Sequence, residues 1–311
     1  MASMVRVSVS ADVLAEEFSG HRTHLIAVAY RLTGSVADAE DAVQESWLRL
    51  STMDDAAVAG VRDLRAWLTT VVGRICLDRL TSAAARRERY VGPWLPEPLV
   101  TREQADDPAE QVVRDEGVRM AAMVVLDQLT ADQRVAFVLH DAFTVPFDEI
   151  AGILGCSVAA ARQHASRARR AVADADPPPR LPLAEQRAIV ERFLTAIATG
   201  DTAGVVELLH PDVVMIGDSD GKARTARRVL TGADPITRFF FGLIAHYGVE
   251  KLAAGELVLV NGDLGMLIPE QPATDGSNWT VSRRVNTFAI RDGRISAIYD
   301  VCNPDKLTHL V

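Results

Sequence analysis

Over the first 175 residues, hydrophobic positions recur with helical spacing. Val36, Ala39, Val43, Trp47 and Leu50 fall on one face at about 100° per residue. Trp67, Leu68, Val71, Ile75 and Leu80 form a second apolar stripe, along a helix expected over 65–88. Residues 147–154 read as a short amphipathic helix, and 158–173 as a longer one with Val158, Ala161, Ala165, Ala168 and Val172 on its apolar side. After residue 183 the pattern changes. Helices are expected over 183–198, from Gly200-Asp201 to Leu209, and over 235–247. His210-Pro211-Asp212 turns the chain into a strand at 213–216. Strands at 257–260, 265–268, 281–290 and 295–301 are punctuated by Asn261-Gly262-Asp263 and Asp292-Gly293. An all-α half precedes an α+β half.

Prolines mark the boundaries. Pro177, Pro178, Pro179 and Pro182 cannot continue a helix and read as a semi-rigid linker over 176–182. Residues 90–117 contain Gly92, Pro93, Pro96, Pro98 and Pro108 and carry a net charge of −5, whereas 62–89 carry +4. A basic helical block followed by an acidic linker argues against one compact α domain.

Composition adds limits. The 311 residues are enough for about two domains, and a net charge of −9 argues against a general polyanion binder. The only lysines are Lys222, Lys251 and Lys306, so arginine alone supplies the cations before residue 222. Cys76, Cys156 and Cys302 fit no zinc spacing and no disulfide framework, so no metal is expected. Without a spanning apolar run or a secretory signal at Met1–Ser10, a cytosolic protein with no membrane partner is the expectation.

The most informative chemistry lies at 147–173. Gly155 stops the short helix and Ser157 caps the next. On the side opposite the alanines stand Arg162, Gln163, Ser166, Arg167 and Arg170, with no acid among them. Small residues let a helix sit close on its support. Such a polar face supplies donors for phosphates and base edges in a major groove. The plainer alternative is a solvated arginine face. In the helix beginning near Val36, Asp38, Asp41 and Glu45 lie one turn apart on the side away from the apolar stripe, where like charges repel mildly. That ridge is either a solubilising face or a docking surface.

Residues 126–139 together with this helix-turn-helix resemble region 4 of the extracytoplasmic-function sigma factors of bacterial RNA polymerase. The stretches Ala29-Tyr30-Arg31-Leu32-Thr33-Gly34 and 38–48 resemble region 2. The resemblance implies that Asp38, Asp41, Gln44, Glu45 and Leu48 dock on core RNA polymerase. It implies that the basic helix recognises the −10 promoter element, with Arg65, Arg74, Arg79, Arg86 and Arg87 as candidates, Trp67 and Leu68 reading as core. It gives Arg162, Gln163, Ser166, Arg167 and Arg170 to the −35 element.

The order of elements after residue 183 resembles the SnoaL-like, cone-shaped α+β fold, which hosts proton-transfer enzymes. Asp218, Asp220, His246, Asp263 and Asp300 are therefore candidate bases, and Tyr247 and Tyr299 candidate donors. No fixed pairing emerges, and Asp218-Ser219-Asp220-Gly221 reads as a solvated turn. Three segments are similar to a subfamily carrying this extension in place of a separate anti-sigma factor. They centre on Trp94, Leu95 and Pro96; on Asp218, Asp220, Gly221 and Lys222; and on Asn303, Pro304, Asp305, Lys306 and Leu307. The resemblance implies that the extension tunes the sigma core in cis. Trp94 packing only on its own region is the alternative.

The expected fold class is multidomain, two all-α sigma domains followed by an α+β SnoaL-like domain. Its parts are 11–89 (region 2), 90–117 (linker), 118–175 (region 4), 176–182 (linker), 183–302 (SnoaL-like) and 303–311 (tail). The expected function is a non-enzymatic sigma factor, without catalytic residues or cofactor, with core RNA polymerase and promoter DNA as partners and room for a small-molecule ligand in the extension. Two alternatives stand beside it: a ligand-responsive helix-turn-helix regulator that does not join the polymerase, and a SnoaL-like isomerase or cyclase fused to a DNA-binding module.

Overall fold

The structure, a computed structural model, describes residues 11–87, 90–101, 118–272 and 280–310. It divides into two compact units, Met1–Ala84 with Leu129–Ala171 and Ala85–Gln128 with Val172–Val311.

The first unit is helical. Helices α1 (Ala11–Thr33) and α2 (Val36–Ser51) are joined at Gly34, whose φ of 70° favours glycine, and by Ser35, whose side chain caps α2. After the short α3 (Asp55–Gly60) comes α4 (Leu64–Arg87). Leu50, Leu68 and Ile75 are buried, as the spacing predicts, together with Leu25, Val28, Leu32 and Val72; Trp47, Trp67, Val71 and Leu80 of the expected stripes are half-buried. Each fully buried side chain contributes about 1.5–3 kcal/mol. Gly73 allows a close approach: a Cβ there would stand 3.0 Å from Leu139 and 3.3 Å from Ile153.

The second unit is built on a seven-stranded sheet in the order β1-β4-β5-β6-β7-β2-β3. Its strands are β1 (Val100–Thr101), β2 (Leu209–Asp218), β3 (Leu230–Thr231), β4 (Glu256–Val260), β5 (Asp263–Ile268), β6 (Arg284–Arg291) and β7 (Arg294–Val301). Only β2 and β7 pair in parallel. The β4–β5 and β6–β7 hairpins turn at Asn261-Gly262 and Asp292-Gly293, all four with positive φ, as two-residue hairpin turns require.

Both faces of this sheet are covered. Phe193, Val205, Leu208 and Ile236 pack against Phe288 and Ile298 on one side. They come from three helices, 183–199, 202–208 and 233–247. On the other side Leu95, Met120, Ala121 and Leu307 pack against Val285, Ala289, Tyr299 and Val301. Burial on two faces explains why β6 alternates so weakly.

Residues 118–128, the start of the expected region 4, pack in the unit that holds the sheet: Arg119 donates to Asp263 at 2.7 Å and to the Pro178 carbonyl at 2.6 Å. The 90–117 segment supplies an edge strand, Val100 pairing with Val260. The 176–182 segment is extended but pinned, with Arg291 reaching Asp176 at 2.6 Å and Arg180 the Asn261 carbonyl at 3.2 Å. Residues 88–89, 102–117, 273–279 and 311 of the expected parts lie outside the described residues. Among the described residues no helix is long and apolar enough to cross a membrane.

Candidate functional site

Helix α5 (Met120–Asp127) leads to α6 (Ala131–Phe137), where Thr130 and Gln133 form a reciprocal cap, and then to one π-helical turn. Helix α7 (Phe147–Leu154) ends on Gly155 with φ 64°. The Ser157 hydroxyl accepts the Ala160 amide at 3.2 Å, starting α8 (Val158–Ala175). Ala161, Ala165 and Ala168 are fully buried, while Arg162, Gln163, Ser166, Arg167 and Arg170 are exposed together. Arg162 lies over the Phe147 ring at 5.7 Å. Arg169, on the flank, is committed to Asp141 at 2.7 Å, which raises its pKa further. The result is a polar face rich in cations, with no acid among these five positions.

The acidic ridge differs from expectation. Arg79 of α4 reaches Asp38 at 3.0 Å, Asp41 at 3.4 Å and Glu45 at 3.9 Å. Like-charge repulsion along α2 is thus offset by a cation 34 or more residues away. Asp38 is only half-exposed, which corrects the expectation that all three acids simply face solvent. Gln44 and Leu48 are exposed, Leu48 at 55%, beside the ridge.

The basic helix is also partly engaged. Arg65 meets His24 at 3.0 Å and Arg74 donates to the Gly152 carbonyl at 3.0 Å, although both remain exposed. With Arg79 on the ridge, three of the five −10 candidates make contacts within their own unit. The side chains of Arg86 and Arg87 lie outside the described residues.

Three separated segments meet on the second unit. Asp218, expected in a solvated turn, is fully buried, because β2 carries it to the register partner Val301 and its carbonyl accepts the amides of Cys302 and Asn303. Gly217 lets the chain pass, since a Cβ there would stand 2.9 Å from the Ala226 carbonyl. The Asp218 carboxylate accepts from the Tyr90 hydroxyl, from the Leu95 amide at 2.6 Å and from Lys306 Nζ at 2.6 Å. Lys306 also donates to the Leu95 carbonyl and stands 4.1 Å above the Trp94 ring. Asn303 caps the 3₁₀ turn Pro304–Lys306 and donates to Tyr90 at 2.8 Å. Leu95, Pro96 and Leu307 are buried; Pro304 is exposed.

Asp220 and Gly221 take positive φ, 48° and 69°, at the outer edge of this cluster. The Val91 amide, at 3.1 Å, followed by Lys222, holds Asp220 below the usual carboxylate range. Lys222, between Asp305 at 2.5 Å and Asp220 at 3.1 Å, is pushed up by both. Burial, then the bond to Asp218, pushes the Tyr90 phenol up strongly.

Residues 18–86 match Sigma-70 region 2, residues 119–172 match Sigma-70, region 4, and residues 190–298 match the SnoaL-like domain. The chain is 52% identical over 298 residues to the ECF RNA polymerase sigma factor SigJ of Mycobacterium tuberculosis, covering 94% of this chain and 92% of that one. The chain belongs to the ECF RNA polymerase sigma factors. The crystal structure of the M. tuberculosis SigJ superposes with a TM-score of 0.80 at 50% identity, covering 94% of this chain and 98% of that chain. The probable ECF sigma factor SigI of the same species is 34% identical over 231 residues, 72% of this chain and 75% of that one.

In this ECF sigma factor the carboxylates weighed for catalysis are held by cations and amides. Asp263 lies between Arg119 at 2.7 Å, Arg180 at 3.3 Å and Gln186 at 3.2 Å. Asp300 accepts from Thr225 at 2.5 Å, Asn286 at 2.9 Å and Arg284 at 3.3 Å. Burial pushes the Tyr299 phenol up to about 12. His246 lies toward the surface on the helix 233–247. Among the described residues no group of His, Cys, Asp and Glu is placed to hold a metal. The sequence reading missed Tyr90, Arg119 and Arg284 as partners of these acids. Their roles depend on pairings 16 to 144 residues apart that no local motif announces.

Proposed function

We propose that this chain binds core RNA polymerase, recognises −35 and −10 promoter elements and directs transcription initiation from the cytoplasm, with its activity set in cis by the SnoaL-like domain and without a separate anti-sigma factor. The observation that carries this reading is the occurrence, in order in one chain, of two Sigma-70 regions and a SnoaL-like domain. Arg162, Gln163 and Arg167 would read base edges, while Arg170, nearer the helix end, would hold phosphate. Gln44 and Leu48, flanked by Asp38, Asp41 and Glu45, would meet a basic polymerase surface, where charge complementarity favours fast and specific docking. The chain performs no chemistry of its own; the polymerase does.

Regulation in cis is supported by the tie of Lys306 and Asp218 to Trp94 and Leu95, which lie on the covalent path from region 2 to region 4. Domain limits in this reading are 11–89 and 118–175 for the sigma regions and 183–302 for the regulator. Reconstituting core polymerase with the purified chain tests the proposal. Promoter-dependent transcripts that core alone does not make support it; binding of operator DNA without any polymerase association would favour the simple helix-turn-helix regulator.

A further inference from the structure

An arginine that reads a base has many rotamers to give up, and a carboxylate that holds it in place also neutralises it and occupies its donors. Helix α8 shows two ways of holding an arginine. Arg169 is held by the Asp141 carboxylate at 2.7 Å, so its charge is compensated inside the protein. Arg162 stands instead over the Phe147 ring, its guanidinium carbon 5.7 Å from the ring centre. Among the described residues it forms no ion pair. A ring face attracts a guanidinium through its π cloud and leaves the charge in place. Arg162 is thereby steered while its N–H fork stays available for a base edge.

The ring is itself fixed. Phe147 is the first residue of α7, and His140 stacks on it with ring centres 3.9 Å apart and planes 28° from parallel. His140 Nδ1 lies 3.0 Å from the Val145 carbonyl, which only accepts, so Nδ1 carries the proton and the imidazole is locked. Two backbone bonds close the same turn: the Thr144 amide donates to the His140 carbonyl at 3.0 Å and the Val145 amide to the Leu139 carbonyl at 2.9 Å. The π-helical turn Val138–Ala142 thus carries a support for the ring on α7, and the ring carries Arg162 on α8. Arg162 follows Val158, the first residue of α8, by four positions, in the half of a recognition helix that meets base edges. We propose that Phe147, backed by His140, is a positioning residue for promoter recognition, setting specificity at the base pair that Arg162 reads. Ordering Arg162 beforehand helps only where its fork finds the matching edge, so the ring favours the right base over the wrong one. This rests on the base-reading role proposed for Arg162 above.

The test uses holoenzyme reconstituted from core polymerase and the full chain, with a DNA library randomised over the −35 element. The readout is the enrichment of each base at each position. Arg162→Ala should abolish the preference at one base pair, which identifies the pair Arg162 reads, and Arg167→Ala at another. Phe147→Leu keeps apolar bulk but removes the ring. It should lower the preference at the Arg162 pair about two- to fivefold, the worth of an exposed contact between a cation and a ring, and leave the Arg167 pair unchanged. His140→Ala, which leaves the ring unsupported, should lower the same preference and no other. Phe147→Tyr, which restores the ring, should recover the wild-type preference. Adding Phe147→Leu to Arg162→Ala should change nothing further at that pair. Equal loss at every position in Phe147→Leu and His140→Ala would mark a packing role and overturn the proposal. So would an unaltered preference in Phe147→Leu, or a tyrosine variant no better than the leucine one. If Arg162→Ala itself leaves every preference unaltered, the base-reading assignment fails and the positioning role with it.

Discussion

Replacing Lys306 by methionine removes the cation on which the Trp94 segment is held. The Lys306 side chain is 8% exposed and Asp218 0%, and their 2.6 Å pair lies beside the Trp94 ring. Taking one partner from a buried pair costs about 3–5 kcal/mol, because the other charge is left uncompensated. Asp218 would retain the Tyr90 hydroxyl and the Leu95 amide, which places the expected cost near the lower end, about 3 kcal/mol. At about 1.4 kcal/mol per tenfold, opening of this segment becomes about a hundredfold more frequent. The assay is native-state hydrogen exchange at the Leu95 amide, which donates to Asp218 at 2.6 Å. Adding Asp218→Asn to Lys306→Met removes the orphaned charge and should restore much of the protection. Unchanged Leu95 exchange in Lys306→Met, or single-mutant costs that simply add in the double mutant, would refute the reasoning.

Other perturbations separate the surfaces. Leu48→Arg, exposed and outside the Arg79 network, should weaken core polymerase binding in a pull-down while leaving the helical signal unchanged; wild-type capture would remove α2 from the interface. Arg167→Ala should cost about 1–3 kcal/mol and relax sequence preference in a promoter-binding titration, whereas Arg170→Ala should weaken all sequences alike. Burial, then Arg65, His21 and Arg31, lowers the His24 pKa from 6.5 to about 4. Between those values the unfolded chain binds more protons, so this contribution to stability is complete above pH 6.5 and is lost as pH falls towards 4. His24→Gln should flatten the pH dependence of the denaturation midpoint in that window, and an unchanged slope would exclude His24 as its source.

Local chemistry was legible where it is set by neighbours in sequence. The stop at Gly155 and the cap at Ser157 mark a helix-turn-helix within three consecutive positions, and the Asn-Gly and Asp-Gly pairs fix two hairpins. The alanine stripe of α8 announced its buried side because nothing else packs so close. What escaped is set at long range. Asp218 looks like a turn residue because β2 ends there, and its burial depends on partners at 90, 95 and 306. The pairing of Arg79, which the resemblance gives to DNA, with Asp38 and Asp41 was hidden because those acids lie on another helix. Val100 and Thr101 are too short a run to signal a strand; they become one only by pairing with β4. Residues 118–128 follow the sheet because Arg119 finds Asp263, a choice no periodicity records.

Run-off transcription with reconstituted core polymerase, comparing wild type and Lys306→Met on one promoter, tests most directly whether this sigma factor carries its own regulator. Promoter-dependent transcripts are expected with the wild-type chain, and an altered yield with Lys306→Met at unchanged affinity for the −35 element. Equal yields from both proteins, or transcripts no different from core polymerase alone, would contradict it.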